Sequence, residues 1–156
     1  HPITTVETMS RIVVAAEDDG EVPPLTHRPR TRRGVISYAA KDIGERLNAR
    51  ALVAFTSSGD TAKRVARLRS RLPLLVFTPS SQVRNELSLT WGTETLLTSD
   101  VRSTDEMIQA VDEALLAKAH YNYDDMVVVA AGSPPGIPGN TNMIQVHMLG
   151  QERHRG

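Results

Sequence analysis

The first residues that could do chemistry form a polar turn, Thr-Ser-Ser-Gly-Asp-Thr, between a strand-like and a helix-like segment. Ligands of open α/β sheets bind outside the carboxyl ends of strands. The turn offers hydroxyl groups and amide N–H groups at a helix start, and its glycine permits close backbone approach. We predict a phosphate-binding site comprising Thr56, Ser57, Ser58, Gly59, Asp60 and Thr61. The alternative is that Ser58 or Asp60 only caps the helix, and the P-loop pattern is absent.

A second candidate is the glycine- and proline-rich loop at 132–142, which follows another apolar run. Long loops at strand ends are frequently functional, and glycines in them can present N–H groups to a ligand. The residues that could contact a ligand are Ser133, Gly136, Gly139, Asn140 and Thr141. The alternative is a rigid hairpin connection.

No catalytic or metal centre is predicted. The absence of cysteine excludes a disulfide scaffold, a thiolate metal site and a Cys nucleophile. The five histidines are scattered without metal-ligand spacing, and no nucleophile–base pair or carboxylate dyad is found. We expect Trp91 to be buried for packing rather than to stack on a ligand.

The charge balance argues against nucleic acid as a partner. Eighteen Lys and Arg residues match eighteen Asp and Glu residues, which gives a formal charge of zero. Four arginines, Arg28, Arg30, Arg32 and Arg33, are close together, but nearby acidic residues balance them and favour a solvated segment. The apolar runs are far shorter than the roughly 20 residues that cross a bilayer, so no membrane partner is expected.

The elements that must position these residues alternate in type. Helical spacing of apolar residues is found at 35–48, with Leu47 on the inner face, and at 60–70. Thr78-Pro79 is typical of a helix start, and a capping box begins at Ser103. Buried-strand patterns occupy 51–55, 74–77, 93–98 and 126–131.

This alternation predicts a parallel sheet with helices on both faces. The last strand, 143–149, follows a connection with three prolines and three glycines, which cannot form the crossover helix that a parallel return needs. We therefore predict an α/β fold in which four parallel strands and one antiparallel edge strand form a mixed five-stranded sheet.

The first residues do not belong to this pattern. Residues 3–16 carry one apolar helical stripe, and an aperiodic stretch rich in proline and arginine follows. We expect 1–20 to be the terminal helix of a preceding domain, 21–34 a linker, 35–150 the α/β domain and 151–156 a tail. The chain also begins without methionine, as expected of a fragment.

Several segments resemble, in order, the C-terminal part of pyruvate kinases. His-Pro-Ile at 1–3 and Val-Glu-Thr-Met-Ser-Arg-Ile at 6–12 are similar to the end of that family's catalytic barrel. Residues 51–59, Ala-Leu-Val-Ala-Phe-Thr-Ser-Ser-Gly, resemble its sugar-phosphate loop. The other matching segments are 69–79, Leu-Thr-Trp-Gly at 89–92 and the effector loop with the start of the last strand at 132–143.

The resemblance implies a three-layer α/β/α sandwich that binds a phosphorylated allosteric effector and forms an interface of a homotetramer. The parent enzyme transfers a phosphoryl group from phosphoenolpyruvate to ADP in glycolysis, in the cytoplasm, with Mg²⁺ (or Mn²⁺) and K⁺. The catalytic site lies in the barrel, so this chain is expected to be inactive alone. A structural oligomerisation module without a ligand is the alternative. A free-standing phosphatase or nucleotide hydrolase would need a nucleophile or metal-binding carboxylates at strand ends.

Charge narrows the expected effector. One phosphate can lie at 56–61, with Lys63 or Arg64 nearby, although Asp60 repels it unless its carboxylate points away. The loop between Gly132 and Asn140 contains no Lys or Arg, so a second phosphate has no cradle. We expect a sugar monophosphate or AMP rather than fructose 1,6-bisphosphate.

Overall fold

The computed structural model describes residues 1–20 and 28–151. The rest of the predicted linker (21–27) and tail (152–156) lies outside the described residues. The described helices are α1 (Pro2–Asp19), α2 (Arg32–Arg46), α3 (Asp60–Ala66), α4 (Ser81–Leu87) and α5 (Thr104–Leu116). The strands are β1 (Ala51–Phe55), β2 (Leu74–Thr78), β3 (Thr93–Leu97), β4 (Met126–Gly132) and β5 (Thr141–Met148).

The five strands form one sheet in the order β3-β2-β1-β4-β5. Strand β1 pairs in parallel with β2 and with β4, and β3 pairs in parallel with β2. Only β5 is antiparallel, and it pairs with β4. The predicted mixed sheet of four parallel strands and one antiparallel strand is confirmed.

Alternate side chains of the central strands fill two core layers, one on each face of the sheet. Val53 and Phe55 of β1 belong to the layer that α5 covers, with Leu115 fully buried there. Leu52 and Ala54 belong to the opposite layer, which α2, α3 and α4 cover. The strand's period of two therefore explains why β1 is buried throughout and why the sequence shows a continuous apolar run.

Two local expectations about helix ends are wrong. Thr78 does not cap a helix, because it is the last residue of β2 and is fully buried, and Ser80 caps α4 by accepting from the Val83 N–H. Leu47 lies beyond the end of α2 and is 47% exposed. Thr78 instead pairs with Leu97 of β3, and Leu47 forms the C-cap of α2.

Helix α1 has no buried residue, so its apolar stripe is exposed. Its end contacts the α/β body through Glu17, which accepts a hydrogen bond from Trp91 Nε1 and pairs with Arg69 at 3.7 Å. The Arg69 guanidinium lies 4.4 Å from the centre of the Trp91 ring. The expected buried packing role for Trp91 is wrong, since the ring is only half-buried. Among the described helices, none has the length and apolar character to span a bilayer.

Candidate functional site

A cleft opens at the carboxyl ends of β1 and β4. From β1 the chain proceeds to β2 and β3 on one side, and β4 lies on the other side of β1. The strand order therefore reverses between β1 and β4, which is where open α/β sheets place their ligands. The cleft has a cavity volume of about 130 Å³.

Both predicted segments contribute to this cleft. Its lining includes four residues of the turn, Thr56, Ser57, Ser58 and Thr61, and four of the loop, Gly136, Gly139, Asn140 and Thr141. The structure thus brings together segments that are about 80 residues apart. The other three predicted residues, Gly59, Asp60 and Ser133, lie beside the cleft without lining it.

The turn is closed by its own first residue. Thr56 Oγ1 accepts a hydrogen bond of 2.8 Å from the Gly59 N–H, and Gly59 adopts φ +82°, a region that favours glycine. Gly59 is the N-cap of α3, and the helix start has no side-chain cap. The alternative in which Ser58 or Asp60 caps α3 is therefore wrong.

Hydrogen-bond donors of the turn are available to a ligand. Among the described residues, neither the amides nor the hydroxyls of Ser57 and Ser58 have a hydrogen-bond partner. Ser57 is half-buried and Ser58 is exposed, and both line the cleft. Helix α3 has only seven residues, so its dipole contributes little to anion binding. The hydrogen-bond donors of Ser57 and Ser58 are therefore the main groups that could bind an anion here.

Asp60 is neutralised by two arginines. Its Oδ2 accepts from Arg64 Nε at 2.9 Å and from Arg33 Nη1 at 3.2 Å. The hydrogen bond from Arg64 is the main cause that holds the pKa of Asp60 below its ordinary value of 3.8, and Arg33 adds to it. The carboxylate is therefore turned towards cations.

The base of the loop is held by asparagines. The Ser133 N–H donates to Asn142 Oδ1, and the Ser133 carbonyl accepts from Asn142 Nδ2, both at 2.8 Å. Asn140 Nδ2 donates to the same carbonyl at 3.2 Å. The backbone of Ser133, rather than its side chain, therefore holds the base of the loop between β4 and β5.

A buried hydrogen bond joins the turn to the second loop. The hydroxyls of Thr61 and Thr141 are 2.7 Å apart, and the two residues are 6% and 1% exposed. The contact fixes the distance between the two walls of the cleft at its base.

Comparison with known proteins identifies the fold's family. The family model described as the pyruvate kinase α/β domain matches residues 34–147. The chain belongs to the pyruvate kinase family.

Similar proteins agree with this assignment. The pyruvate kinase of Corynebacterium glutamicum is 68% identical over 97% of this chain, and that of Mycobacterium tuberculosis is 57% identical over 97%. A solved pyruvate kinase from Cryptosporidium parvum has the same fold, with a TM-score of 0.70 and 15% identity over 79% of this chain and 24% of that one. The chain spans about a third (32%) of the length of both bacterial relatives.

Further residues of this pyruvate kinase domain lie at the cleft although the sequence did not indicate them. Thr98, Asp100 and Val101 line it from the segment that follows β3, and Arg33 approaches from α2. Thr98, Asp100 and Val101 could have been predicted from their position after β3, because ligands bind at the carboxyl ends of the strands. Among residues 1–20 and 28–151, no three His, Asp or Glu side chains form a group that could hold a metal ion.

Proposed function

We propose that this chain is the regulatory segment of a pyruvate kinase and that its cleft binds a phosphorylated effector. The observation that carries the proposal is the pair Ser57 and Ser58, whose four N–H and O–H donors line the cleft without a partner among the described residues. Phosphate oxygens accept such donors, and glycine beside them keeps the backbone accessible. The effector loop, 132–142, covers the ligand from the opposite wall.

The charges of the cleft favour one phosphate over two. Among the described residues that line it, Asp100 is the only charged one, and no Lys or Arg is present. Arg33 and Arg64 are beside the turn, on the Asp60 side. A second phosphate would lie away from both cations, so a sugar monophosphate or AMP fits better than fructose 1,6-bisphosphate. The apolar floor, which includes Phe55 and Phe77, suits the face of a sugar or nucleoside.

The remainder of the proposal concerns the whole enzyme. It transfers a phosphoryl group from phosphoenolpyruvate to ADP in the cytoplasm, as a homotetramer. The reaction takes place in a barrel domain that holds Mg²⁺ (or Mn²⁺) and K⁺, and of which this chain carries only the terminal helix. This segment does no chemistry. It transmits effector binding because the effector has different affinities for two arrangements of the tetramer, a coupling of typically 1–3 kcal/mol.

Thermal unfolding of the chain with added ligands tests the binding site. Candidate ligands are glucose 6-phosphate, ribose 5-phosphate, AMP and fructose 1,6-bisphosphate, with inorganic phosphate as a reference. A ligand at 100 times its Kd stabilises the folded state by about 2.7 kcal/mol, which raises Tm by several degrees. A chain that no compound stabilises would contradict the site and favour a structural assembly module.

Ser58→Glu locates the site, because a carboxylate among the phosphate donors repels the ligand. Ser88→Glu is the matched control, since Ser88 is also exposed but lies at the end of α4. We expect the stabilisation to disappear in Ser58→Glu alone. In a full-length pyruvate kinase that carries this segment, Ser58→Glu should abolish activation by the effector and preserve turnover at saturating substrate. Activation that survives Ser58→Glu would show that the effector binds elsewhere.

A further inference from the structure

One ion pair lies beside the cleft, where the turn and the loop approach each other. Arg33 is the second residue of α2, and its Nη1 lies 3.2 Å from Asp60 Oδ2, beside the turn. The same Nη1 would be only 2.8 Å from a Cβ on Gly139, in the loop. The guanidinium therefore lies where the turn and the loop meet, against a backbone position that has no side chain.

The position matters because the rest of the cleft is short of positive charge. Asp60 and Asp100 carry two negative charges, and Arg64, paired with Asp60, carries one positive charge. Without Arg33 these groups sum to −1, which opposes a dianion. With Arg33 they sum to zero, and its guanidinium retains donors, because Asp60 Oδ2 is its one hydrogen-bond acceptor among the described residues.

Resting on the proposed function, we propose that Arg33 donates hydrogen bonds to the bound phosphate group, with Asp60 as the anion that competes for the same guanidinium. Arginine suits this role because its planar fork binds phosphate oxygens in pairs. Asp60 orients the fork towards the turn, but its charge weakens the attraction for a ligand. The affinity for phosphate is thus set by a side chain 24 residues before Ser57.

Calorimetric titration of the chain with inorganic phosphate and with glucose 6-phosphate tests the role of Arg33. Arg33→Gln removes the charge and keeps a polar side chain of similar reach. We expect it to weaken binding of both ligands about 10- to 100-fold, the contribution of a hydrogen bond to a charged group. Arg32→Gln is the matched control, because Arg32 is an exposed neighbour on the same helix, and it should leave both affinities within about twofold.

Asp60→Asn tests the competing anion. Its removal leaves Arg33 without a charged partner and takes a negative charge away from the site, so binding of both ligands should tighten about three- to tenfold. In the Arg33→Gln background the gain should be smaller, because only the direct repulsion is then relieved.

A pair of glycine substitutions provides a test that keeps Arg33 itself. Gly136 and Gly139 have φ +83° and +70°, so alanine is strained at both, but only at Gly139 does a Cβ meet the guanidinium. Gly139→Ala should therefore weaken phosphate binding well beyond Gly136→Ala. The role of Arg33 would be overturned if Gly139→Ala and Gly136→Ala weakened phosphate binding equally. It would also be overturned if Arg33→Gln and Arg32→Gln did so. Neither result would contradict the proposed phosphate site itself. A wild-type chain that binds neither ligand would overturn the proposed function as well.

Discussion

Replacing Thr61 with valine should destabilise the chain, and replacing Thr141 as well should restore most of the loss. The two hydroxyls are 2.7 Å apart, and Thr141 is 1% exposed, so Thr61→Val leaves a buried hydroxyl without its partner. An unsatisfied buried polar group costs about 1–3 kcal/mol. Valine has nearly the shape of threonine, so the change removes a hydrogen bond without creating a cavity.

The double variant makes this prediction specific. With valine at both positions no polar group is left unpaired, and such paired replacements are close to neutral. We therefore expect a coupling energy of about 1–2 kcal/mol between the two positions in urea unfolding, with the single variants lowering Tm by about 2–4 °C for each kcal/mol. Thr4→Val on the exposed face of α1 is the control for a threonine with no buried contact. A double variant that loses the sum of the two single losses would refute the hydrogen bond as the cause.

Two further predictions concern Thr95 and Asp60. Thr95→Val should stabilise the fold by about 1 kcal/mol in urea unfolding, because Thr95 Oγ1 is buried without a partner among the described residues, and an unchanged midpoint would contradict this. Since the pKa of Asp60 is lowered below 3.8 in the folded state, its ion pairs stabilise the fold above that pH and cease to do so as the pH falls through the folded pKa. The Tm difference between wild type and Asp60→Asn should therefore shrink from pH 6 to pH 3, and a difference independent of pH would exclude the Arg pairs as its source.

The central strands β1, β2 and β4 could be predicted because they are buried on both faces. A central parallel strand such as β1 must be apolar at every position, so it forms a recognisable short run. The antiparallel final strand followed from composition, since prolines and glycines in the connection exclude a crossover helix. The helix cap at Ser103 could be predicted because it depends only on neighbouring residues. Its hydroxyl accepts a hydrogen bond from the Glu106 N–H, as expected of a capping box.

The strand order was not available from the sequence, because runs of this kind carry no information about which strands are neighbours. That order determines where the switch point lies and why the segments after β1 and β4 form one cleft. The contribution of Thr98 and Asp100 depends on the same arrangement. Helix ends were also harder to predict from the sequence. Thr78-Pro79 has the pattern of a helix start, but Thr78 pairs with β3 as the last residue of β2.

The charge of the cleft is the clearest case in which local sequence was insufficient. Within the windows 56–61 and 132–142 the only ionisable side chain is Asp60, and from these windows a phosphate site looks electrostatically poor. Folding changes the charge around the cleft, because α2 places Arg33 beside the Asp60 carboxylate and beside Gly139. These residues are 27 and more than 100 positions away from Arg33 in the sequence. The arginine cluster in the sequence gives no sign of this, because the contacts of Arg33 with Asp60 and Gly139 arise only when α2 packs beside the turn. The added charge is one cation beside the turn, in keeping with our proposal of a ligand that carries one phosphate.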